Sequence, residues 1–312
     1  MILITGAAGY IGSHIARRLV ETGQPVRGLV YNPQRAEREG RLQGLSLEWV
    51  EGDVTDTGSL QHAVEGVTAI IHTVAIAIEK GNRTYESINF QGTVNVIEAA
   101  RSARVKRFIN LSQLGANPHL PYRFLASKGK AQEYLAASDL EWTAFYPSVI
   151  WGPEDEFANT FARLVPFSPL IFPIIGDENS LFQPVWVEDV VTCVSVALED
   201  PGTIRQGYEI GGPEVLTLEE IERRTLKAIS ARRWMVHFPL PILRLVVRIL
   251  ETVLPNPPVT RNLLELLAVS NVTKDNAIYR FVKDPRPFTP EATTGYMRAF
   301  SMRKTLAQFL RG

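Results

Sequence analysis

Residues 1–12 read MILITGAAGYIG, and this stretch decides the fold. Its apolar start is typical of a strand that is buried on both faces of a parallel sheet. Gly6 permits a tight turn, Gly9 lets the backbone approach a pyrophosphate, and Gly12 lets the following helix pack closely on the strand. The free N–H groups at the start of that helix would face the phosphates. The order strand, glycine loop, helix predicts a dinucleotide-binding turn, and a structural turn without a ligand is the alternative.

Strands and helices alternate through the first half of the chain. Apolar runs predict five further strands, which are Val26–Tyr31, Leu47–Val50, Thr68–Val74, Arg107–Leu111 and Trp142–Tyr146. Amphipathic spacing predicts helices between them, including Tyr85–Ala103 and Phe124–Ala137. Right-handed crossovers place such helices on both faces of the sheet. The expected fold class is α/β, a doubly wound parallel Rossmann sheet with a smaller, mainly helical C-terminal region.

The amino-acid composition changes after residue 147, where prolines become frequent. We expect a dinucleotide-binding domain over residues 1–150 and a smaller substrate or lid region over residues 151–312. A segment of about residues 183–212 reads as strand, helix and strand, and we expect it to return to the first domain. Asp189 is expected to cap the helix of that segment, and Thr217 begins a capping-box pattern.

Composition argues against several classes of protein. The formal net charge at pH 7 is zero, so no basic balance points to nucleic acid. Cys193 is the single cysteine, and the five histidines form no close pair at helical spacing. We therefore expect neither a disulfide framework nor a metal site. We also expect no leader peptide and no transmembrane segment, and hence a cytoplasmic protein.

The end of the second predicted strand bears on the choice of cofactor. An acidic residue there would bind the ribose 2′-hydroxyl of NAD and repel the 2′-phosphate of NADP. This chain has no carboxylate between Tyr31 and Arg35. Arg35 can pair with a 2′-phosphate, Arg38 is a weaker candidate, and Tyr31 can lie beside the adenine. The expected cofactor is NADP, with NAD as the alternative.

Residues 234–254 are rich in Leu, Ile and Val, with Arg244 and Arg248 one helical turn apart and prolines at positions 239, 241 and 255. Three interpretations are open: a lid over an apolar substrate, a membrane-surface helix, and a helix packed on the second domain. We expect the packed helix, because prolines break its flanks and the whole chain is neutral. On that basis we expect no peripheral membrane contact.

Several stretches together resemble one protein family across nearly the whole chain. They are Thr5–Gly12, Gly52–Val54, Asn89–Asn95, Leu111–Ser112, Pro147–Pro153, Gln183–Asp189 and Gly211–Pro213. They are similar to landmarks of the short-chain dehydrogenase/reductase superfamily, in its extended or atypical branch. The last three most resemble the subgroup related to the nucleotide-binding accessory subunit of respiratory complex I. Several members of that subgroup bind a cofactor or assist assembly and have no known substrate, and the resemblance implies the same possibility for this chain.

The resemblance implies a Tyr-x-x-x-Lys pair on one helix, in which the tyrosine transfers a proton and the lysine holds the ribose. Four residues advance a helix by about 400°, so both side chains share a face. Lys128 fits the lysine, but Phe124 stands where the tyrosine is required. Tyr122 can substitute only if the helix bends, since six residues turn about 600°. Ser112 would hold a substrate oxygen, and Tyr146 is expected to pack rather than react.

The resemblance also implies a set of cofactor contacts. These are Gly6, Ala8, Gly9, Tyr10, Ile11, Gly12, Tyr31, Arg35, Asp53, Val54, Val74, Asn89 and Lys128. Asp53 either bonds the adenine amine or closes an Asx turn. The chain is expected to be an NAD(P)-binding oxidoreductase-like protein with an altered catalytic pair, acting on a small, apolar substrate. The alternative is a non-catalytic redox sensor, or an assembly factor whose partner is a protein.

Overall fold

The apolar run at the start of the chain forms β1 (Ile2–Thr5), whose four residues are all buried. Six other strands lie in the same sheet: β2 (Val26–Val30), β3 (Glu48–Glu51), β4 (Ala69–His72), β5 (Arg107–Leu111), β6 (Glu141–Pro147) and β11 (Gln206–Ile210). Their order is β11-β6-β5-β4-β1-β2-β3, and every neighbouring pair is parallel. This is the doubly wound Rossmann sheet that the β–α alternation predicts.

The computed structural model describes residues 1–39, 41–174, 180–238, 240–254, 257, 259–267, 269–297 and 305. Of residues 38, 39, 240, 262 and 265, only the backbone is described, so the expectation for the Arg38 side chain lies outside the description. The chain divides into two units, each formed by three segments. The first unit is Met1–Pro147, Val187–Ile210 and Asp275–Asp284, and the second is Ser148–Trp186, Gly211–Lys274 and Pro285–Gly312.

Helices of the first unit pack on the sheet through their apolar stripes. They are α1 (Tyr10–Glu21), α2 (Pro33–Glu39), α3 (Thr57–Ala63), α4 (Gly92–Ser102), α5 (Arg123–Ala136), α7 (Val187–Glu199) and α11 (Ile278–Phe281). One core cluster joins Leu3 and Phe108 of the sheet to Leu60 of α3 and Val96 of α4. Because this core holds the strands rigidly, the loops at their carboxyl ends are presented from a fixed platform.

The second unit is built from short strands and helices around an aromatic core. Its strands are β7 (Ile150–Trp151), β8 (Ile171–Ile174), β9 (Leu181–Phe182), β10 (Val185–Trp186), β12 (Leu216–Thr217) and β13 (Trp234–His237). Its helices are α6 (Ala158–Leu164), α8 (Leu218–Ala228), α9 (Leu240–Val253), α10 (Arg261–Leu267) and α12 (Pro290–Thr294). Trp151, Phe161, Phe172 and Phe288 are buried together in its core. Thr217 caps α8, as predicted, by accepting a hydrogen bond from the Glu220 N–H.

Two helix predictions need correction. The single helix predicted over Tyr85–Ala103 is a π-helical segment, Tyr85–Gln91, followed by α4. Periodicity does not report an i→i+5 turn, because one extra residue in a turn leaves the apolar pattern nearly unchanged. The prediction that Asp189 caps its helix is also wrong. α7 begins at Val187 directly after β10, which places the buried Asp189 inside the first helical turn.

The stretch at residues 234–254 also differs from its prediction. Its first part is β13, which pairs in parallel with β8, and the helix begins only at Leu240. Leu243 and Val247 are buried, as expected of a packed helix, but the opposite face of α9 is exposed. The expectation of a packed helix therefore holds for one face only. The prolines at positions 239 and 255 lie outside the described residues.

Candidate cofactor and active site

The glycine loop at the end of β1 is shaped to admit a phosphate group. Gly6 has a backbone φ of 79°, which favours glycine. A Cβ atom on Gly12 would lie 2.1 Å from the Gly6 carbonyl oxygen, so only glycine fits there. The Ser13 N–H donates to the Gly9 carbonyl at 3.0 Å, which leaves the three preceding N–H groups outside the helical ladder. The first turn of α1 carries no acidic residue, so this N-terminus suits an anion.

Side chains from three loops meet beside the end of β2. The guanidinium carbon of Arg83 lies 4.8 Å from the centroid of the exposed Tyr31 ring. Arg83 Nη1 also donates to Asp53 Oδ2 at 3.3 Å. Asp53 Oδ1 accepts from the Thr55 N–H at 2.9 Å, which is the Asx turn given as one reading of this residue. Arg41 Nη1 donates to the Ala8 carbonyl at 3.2 Å, bringing a second guanidinium to the glycine loop.

The loop after β4 closes over the glycine loop and is held by one amide side chain. Thr73 Oγ1 donates to the Thr5 carbonyl at 2.8 Å. Asn89 is fully buried. Its Oδ1 accepts a hydrogen bond from the Ile76 N–H at 2.8 Å, and its Nδ2 donates to the Ile76 carbonyl at 3.2 Å. Asn89 lies in the π-helical segment, a distortion found often at functional sites. Its role in the structure is to fix the loop that carries Val74.

Lys128 and Ser112 lie together at the end of β5. Lys128 is 7% exposed, and its Nζ donates to the Leu111 carbonyl at 3.0 Å. Burial lowers the pKa of Lys128 to about 8. An ammonium group has three N–H donors, so two remain for a ligand. The buried Ser112 Oγ has no hydrogen-bond partner among the described residues, as expected of a group that awaits a ligand.

A chain of buried hydrogen bonds runs behind this site from β1 to the π-helical segment. Thr93 Oγ1 donates to the Asn89 carbonyl at 2.8 Å, so it can only accept from His72 Nε2 at 2.9 Å. His72 Nδ1 then accepts from Thr5 Oγ1 at 2.7 Å. Burial, and then the charge of Lys128, lower the pKa of His72 to about 3. The imidazole is therefore neutral and acts as a spacer rather than as an acid.

The position of the expected catalytic phenol is occupied by the ring of Phe124. This ring packs edge-on against Tyr85, with centroids 5.6 Å apart. Tyr122 is the residue before the first turn of α5, with a ψ of 101°, so it is not on the regular helix with Lys128. Tyr146 packs over Gly207 of the neighbouring strand, since a Cβ there would lie 2.8 Å from its ring. Burial raises the pKa of Tyr146 to about 12, which weakens it as a proton donor.

Seven of the expected cofactor contacts lie in loops that follow β1, β2, β3 and β4: Gly6, Ala8, Gly9, Tyr31, Asp53, Val54 and Val74. Because parallel strands end at one edge of the sheet, these loops share that edge. The other expected contacts lie on helical segments: Tyr10, Ile11 and Gly12 on α1, Arg35 on α2, Asn89 on the π-helical segment and Lys128 on α5. Arg35 is exposed, and Val54 is buried and packs against Gly92. Sequence reasoning missed Arg41 and Arg83. Neither belongs to a periodic element or a motif, so no local signal separates them from the other arginines.

No group of three or more His, Cys, Asp or Glu side chains is arranged to hold a metal ion in the described ranges. Among the helices of the same ranges, none is long and apolar enough to cross a membrane.

Comparisons with known proteins place the chain among nucleotide-binding proteins. Residues 6–160 match the model of an NAD(P)H-binding family. The chain is 30% identical over 300 residues to the 2-alkyl-3-oxoalkanoate reductase of Stenotrophomonas maltophilia, covering 85% of this chain and 88% of that one. It is also 27% identical over 290 residues to the mitochondrial NADH dehydrogenase [ubiquinone] 1 alpha subcomplex subunit 9 of Arabidopsis thaliana. That match covers 88% of this chain and 71% of the subunit. The mouse subunit is 27% identical, and its match covers 63% of its length.

Solved structures share the fold over nearly the whole chain. A Thermotoga maritima UDP-glucose 4-epimerase with UDP-glucose superposes with a TM-score of 0.71 and 19% identity, covering 98% of this chain and 99% of that one. A Streptomyces venezuelae dTDP-glucose 4,6-dehydratase double mutant with NAD bound superposes with a TM-score of 0.69 and 20% identity, covering 95% of each chain.

Fold, glycine loop and relatives agree on one family, and the resemblance drawn from the sequence is confirmed. The family binds a nicotinamide dinucleotide, and the loop at the end of β1 fits such a ligand. The chain belongs to the short-chain dehydrogenase/reductase superfamily, as an NAD(P)-binding member similar to the accessory subunit 9 of respiratory complex I.

Proposed function

We propose that this chain binds NADP(H) in its first unit and lacks the proton donor of ordinary carbonyl reduction. The observation that carries the proposal is Phe124, which stands one helical turn before the retained Lys128 and packs against Tyr85. A phenyl ring has no proton to give. Dinucleotide binding is therefore the function that the remaining side chains support best.

Each part of the dinucleotide has candidate partners on this chain. The glycine loop and the N-terminus of α1 would hold the pyrophosphate, and Lys128 would hold ribose hydroxyls with its two remaining donors. A bound nicotinamide would supply hydride chemistry. Ser112 would bind the oxygen of a substrate or of the nicotinamide amide.

The preference for NADP is supported by charge at the adenosine end. β2 ends at Val30 without an acidic residue after it, so no carboxylate there would repel a 2′-phosphate. Arg41 reaches the glycine loop and Arg83 covers the Tyr31 ring, which brings two guanidinium groups to this end of the site. Arg35, on α2, is a third candidate. Guanidinium groups bind phosphate by bidentate hydrogen bonds.

A second candidate function is the reduction of a small, apolar carbonyl compound. It is favoured by Lys128, whose lowered pKa of about 8 makes it a better proton donor than an exposed lysine. The orphaned Ser112 hydroxyl beside it would orient a carbonyl oxygen. The 30% identity to a 2-alkyl-3-oxoalkanoate reductase also supports this candidate.

The relatives in complex I support a third form of the proposal, in which the bound cofactor serves a partner protein. The match to the Arabidopsis subunit spans 71% of that protein, and the match to the mouse subunit spans 63%. In this form the chain senses or carries the dinucleotide, or assists assembly, and turnover is absent.

The test combines binding and turnover in one set of variants. NADPH binding is followed by nicotinamide fluorescence, and NADPH oxidation is followed with a panel of apolar ketones and aldehydes. Phe124→Tyr should leave binding nearly unchanged and raise turnover, by up to the ~10²–10⁴-fold that general acid–base catalysis contributes. Lys128→Met should weaken binding, because it removes the charge and the donors without emptying the space.

The outcomes separate the candidates. An unmodified protein that turns over at no more than the background rate supports binding as the function. Turnover at an ordinary rate of about 10 s⁻¹ that Lys128→Met abolishes supports the second candidate. If Tyr122→Phe abolishes such turnover instead, Tyr122 is the acid and the proposal about Phe124 is wrong.

A further inference from the structure

We propose that the exposed side of α9, together with the basic cleft beside β13, docks on the surface of an anionic lipid bilayer. This goes beyond the proposed function and does not depend on it. It also replaces the expectation, drawn from the sequence, that the chain makes no peripheral membrane contact.

The helix α9 is apolar on two opposite sides. Leu243 and Val247 are 8% and 5% exposed, and Val247 belongs to the core cluster of the second unit. Five aliphatic side chains on the other side are 46–68% exposed: Ile242, Leu245, Val246, Ile249 and Val253. We call these five residues the α9 face. A contiguous group of exposed aliphatic side chains is typical of an interaction surface, so we expect the α9 face to have an apolar partner.

The ribbon next to α9 in the chain carries a second set of exposed apolar side chains. Trp234 begins β13 and is 74% exposed, and Leu170, whose carbonyl accepts from the Trp234 N–H at 2.9 Å, is 69% exposed. Ile171 pairs with Trp234 and is also exposed. Only residues 238–239 separate this ribbon from α9. Trp is the side chain most typical of the boundary between lipid headgroups and acyl chains.

The charges around these side chains indicate which kind of surface would bind them. A cleft of about 680 Å³ runs beside Trp234, and its lining includes Arg223, Lys227, Arg232 and Arg233 but no carboxylate. Arg223 pairs with Glu219, and Lys227 lies 4.0 Å from Glu291. Arg232 and Arg233 form no ion pair with any described residue. We call this cleft the basic cleft.

Two more arginines lie on α9, and Arg248 is one helical turn from Leu245 of the α9 face. Arg244 and Arg248 are exposed on α9 and form no ion pair within the described ranges. Aliphatic and Trp side chains bordered by unpaired arginines match an interfacial helix, which inserts its apolar side while cations meet lipid phosphates.

Vesicle flotation tests the proposal. The full chain is mixed with phosphatidylcholine vesicles, with or without phosphatidylglycerol, at low and at high salt. We expect flotation with the anionic vesicles only, weakened by salt. Trp234 fluorescence should be quenched by brominated acyl chains, and Trp234→Phe should remove that quenching.

Matched variants separate the apolar contribution of the α9 face from the electrostatic contribution of the arginines. Leu245→Glu combined with Ile249→Glu should reduce vesicle binding at least ~tenfold, whereas Val215→Glu, at an exposed aliphatic residue outside the α9 face, should not. Arg244→Gln combined with Arg248→Gln should weaken binding by about fivefold per arginine. Arg104→Gln with Lys106→Gln, in the first unit, is the control for loss of charge.

Three results would overturn the proposal. The first is a folded protein, judged by its thermal melting, that does not float with anionic vesicles. The second is flotation that the α9 face variant leaves intact. The third is a stable dimer that Leu245→Glu dissociates, since it would show that a second copy covers this face.

Discussion

At the scale of single residues, the most constrained group is the His72 imidazole. Its two neighbours have only one arrangement of protons that satisfies all their hydrogen bonds. Thr93 must donate to the Asn89 carbonyl, so Nε2 of His72 carries the hydrogen and Nδ1 accepts from Thr5. A charged imidazolium would need two acceptors and would face the nearby charge of Lys128. This explains why the ring stays neutral.

The pKa of His72 predicts how stability depends on pH. The pKa is about 3 in the folded protein and 6.5 for an ordinary histidine, so the unfolded chain binds more protons between these values. Stability therefore falls as pH is lowered through this window, by up to about 1.4 kcal/mol per pH unit from this group. Urea unfolding at several pH values should show a shallower pH dependence for His72→Gln than for the unmodified chain.

The control for this prediction is His62→Gln, because the His62 side chain is 74% exposed. That variant should keep the pH dependence of the unmodified chain. Equal slopes for His72→Gln and His62→Gln would contradict the assignment of a neutral, buried His72.

At the scale of elements, the turn from β1 to α1 depends on an absent side chain. A Cβ atom at Gly12 would lie 2.1 Å from the Gly6 carbonyl oxygen, and neither backbone segment can yield without moving the loop. We predict that Gly12→Ala lowers the free energy of unfolding by ~1–3 kcal/mol, the usual cost of overpacking. It should also weaken NADPH binding, because the loop that would hold the pyrophosphate is displaced.

Gly295 offers a matched control for that prediction. Its φ is −61°, and nothing lies within 4 Å of a Cβ placed on it. Gly295→Ala should be neutral or stabilising by up to ~1 kcal/mol, through the lower entropy of the unfolded chain. Urea unfolding of both variants makes the comparison, and equal losses of stability would argue against the close approach at Gly12.

The elements also indicate how far sequence reasoning reaches. β5 has the predicted bounds, Arg107–Leu111, because an apolar run between polar residues marks a central parallel strand clearly. β13 was missed because four residues of an edge ribbon carry too few positions to separate a period of two from a helix. The residues of the candidate site also divide into those that a local motif predicts and those that it does not. Lys128 and Ser112 were found through motifs, whereas Arg83 and Arg41 come to the site only through tertiary structure.

At the scale of the whole molecule, the order of the strands assembles the candidate site. β1 lies between β4 and β2, so the glycine loop has Val74 on one side and Tyr31 on the other. A glycine loop, Lys128 and two arginines (Arg41 and Arg83) lie along this edge of the sheet, and Phe124 stands where the sequence predicts a phenol. The central proposal therefore concerns binding, with a nicotinamide dinucleotide held in the first unit and NADP preferred over NAD.

Titration with NADPH and with NADH, followed by nicotinamide fluorescence, tests that claim most directly. We predict that both bind and that NADPH binds roughly tenfold tighter or more, the gain expected from charge-assisted hydrogen bonds to the 2′-phosphate. Arg41→Gln combined with Arg83→Gln should narrow the difference while leaving NADH affinity nearly unchanged. Tighter binding of NADH would contradict the preference, and failure of the folded protein to bind either dinucleotide would contradict the account as a whole.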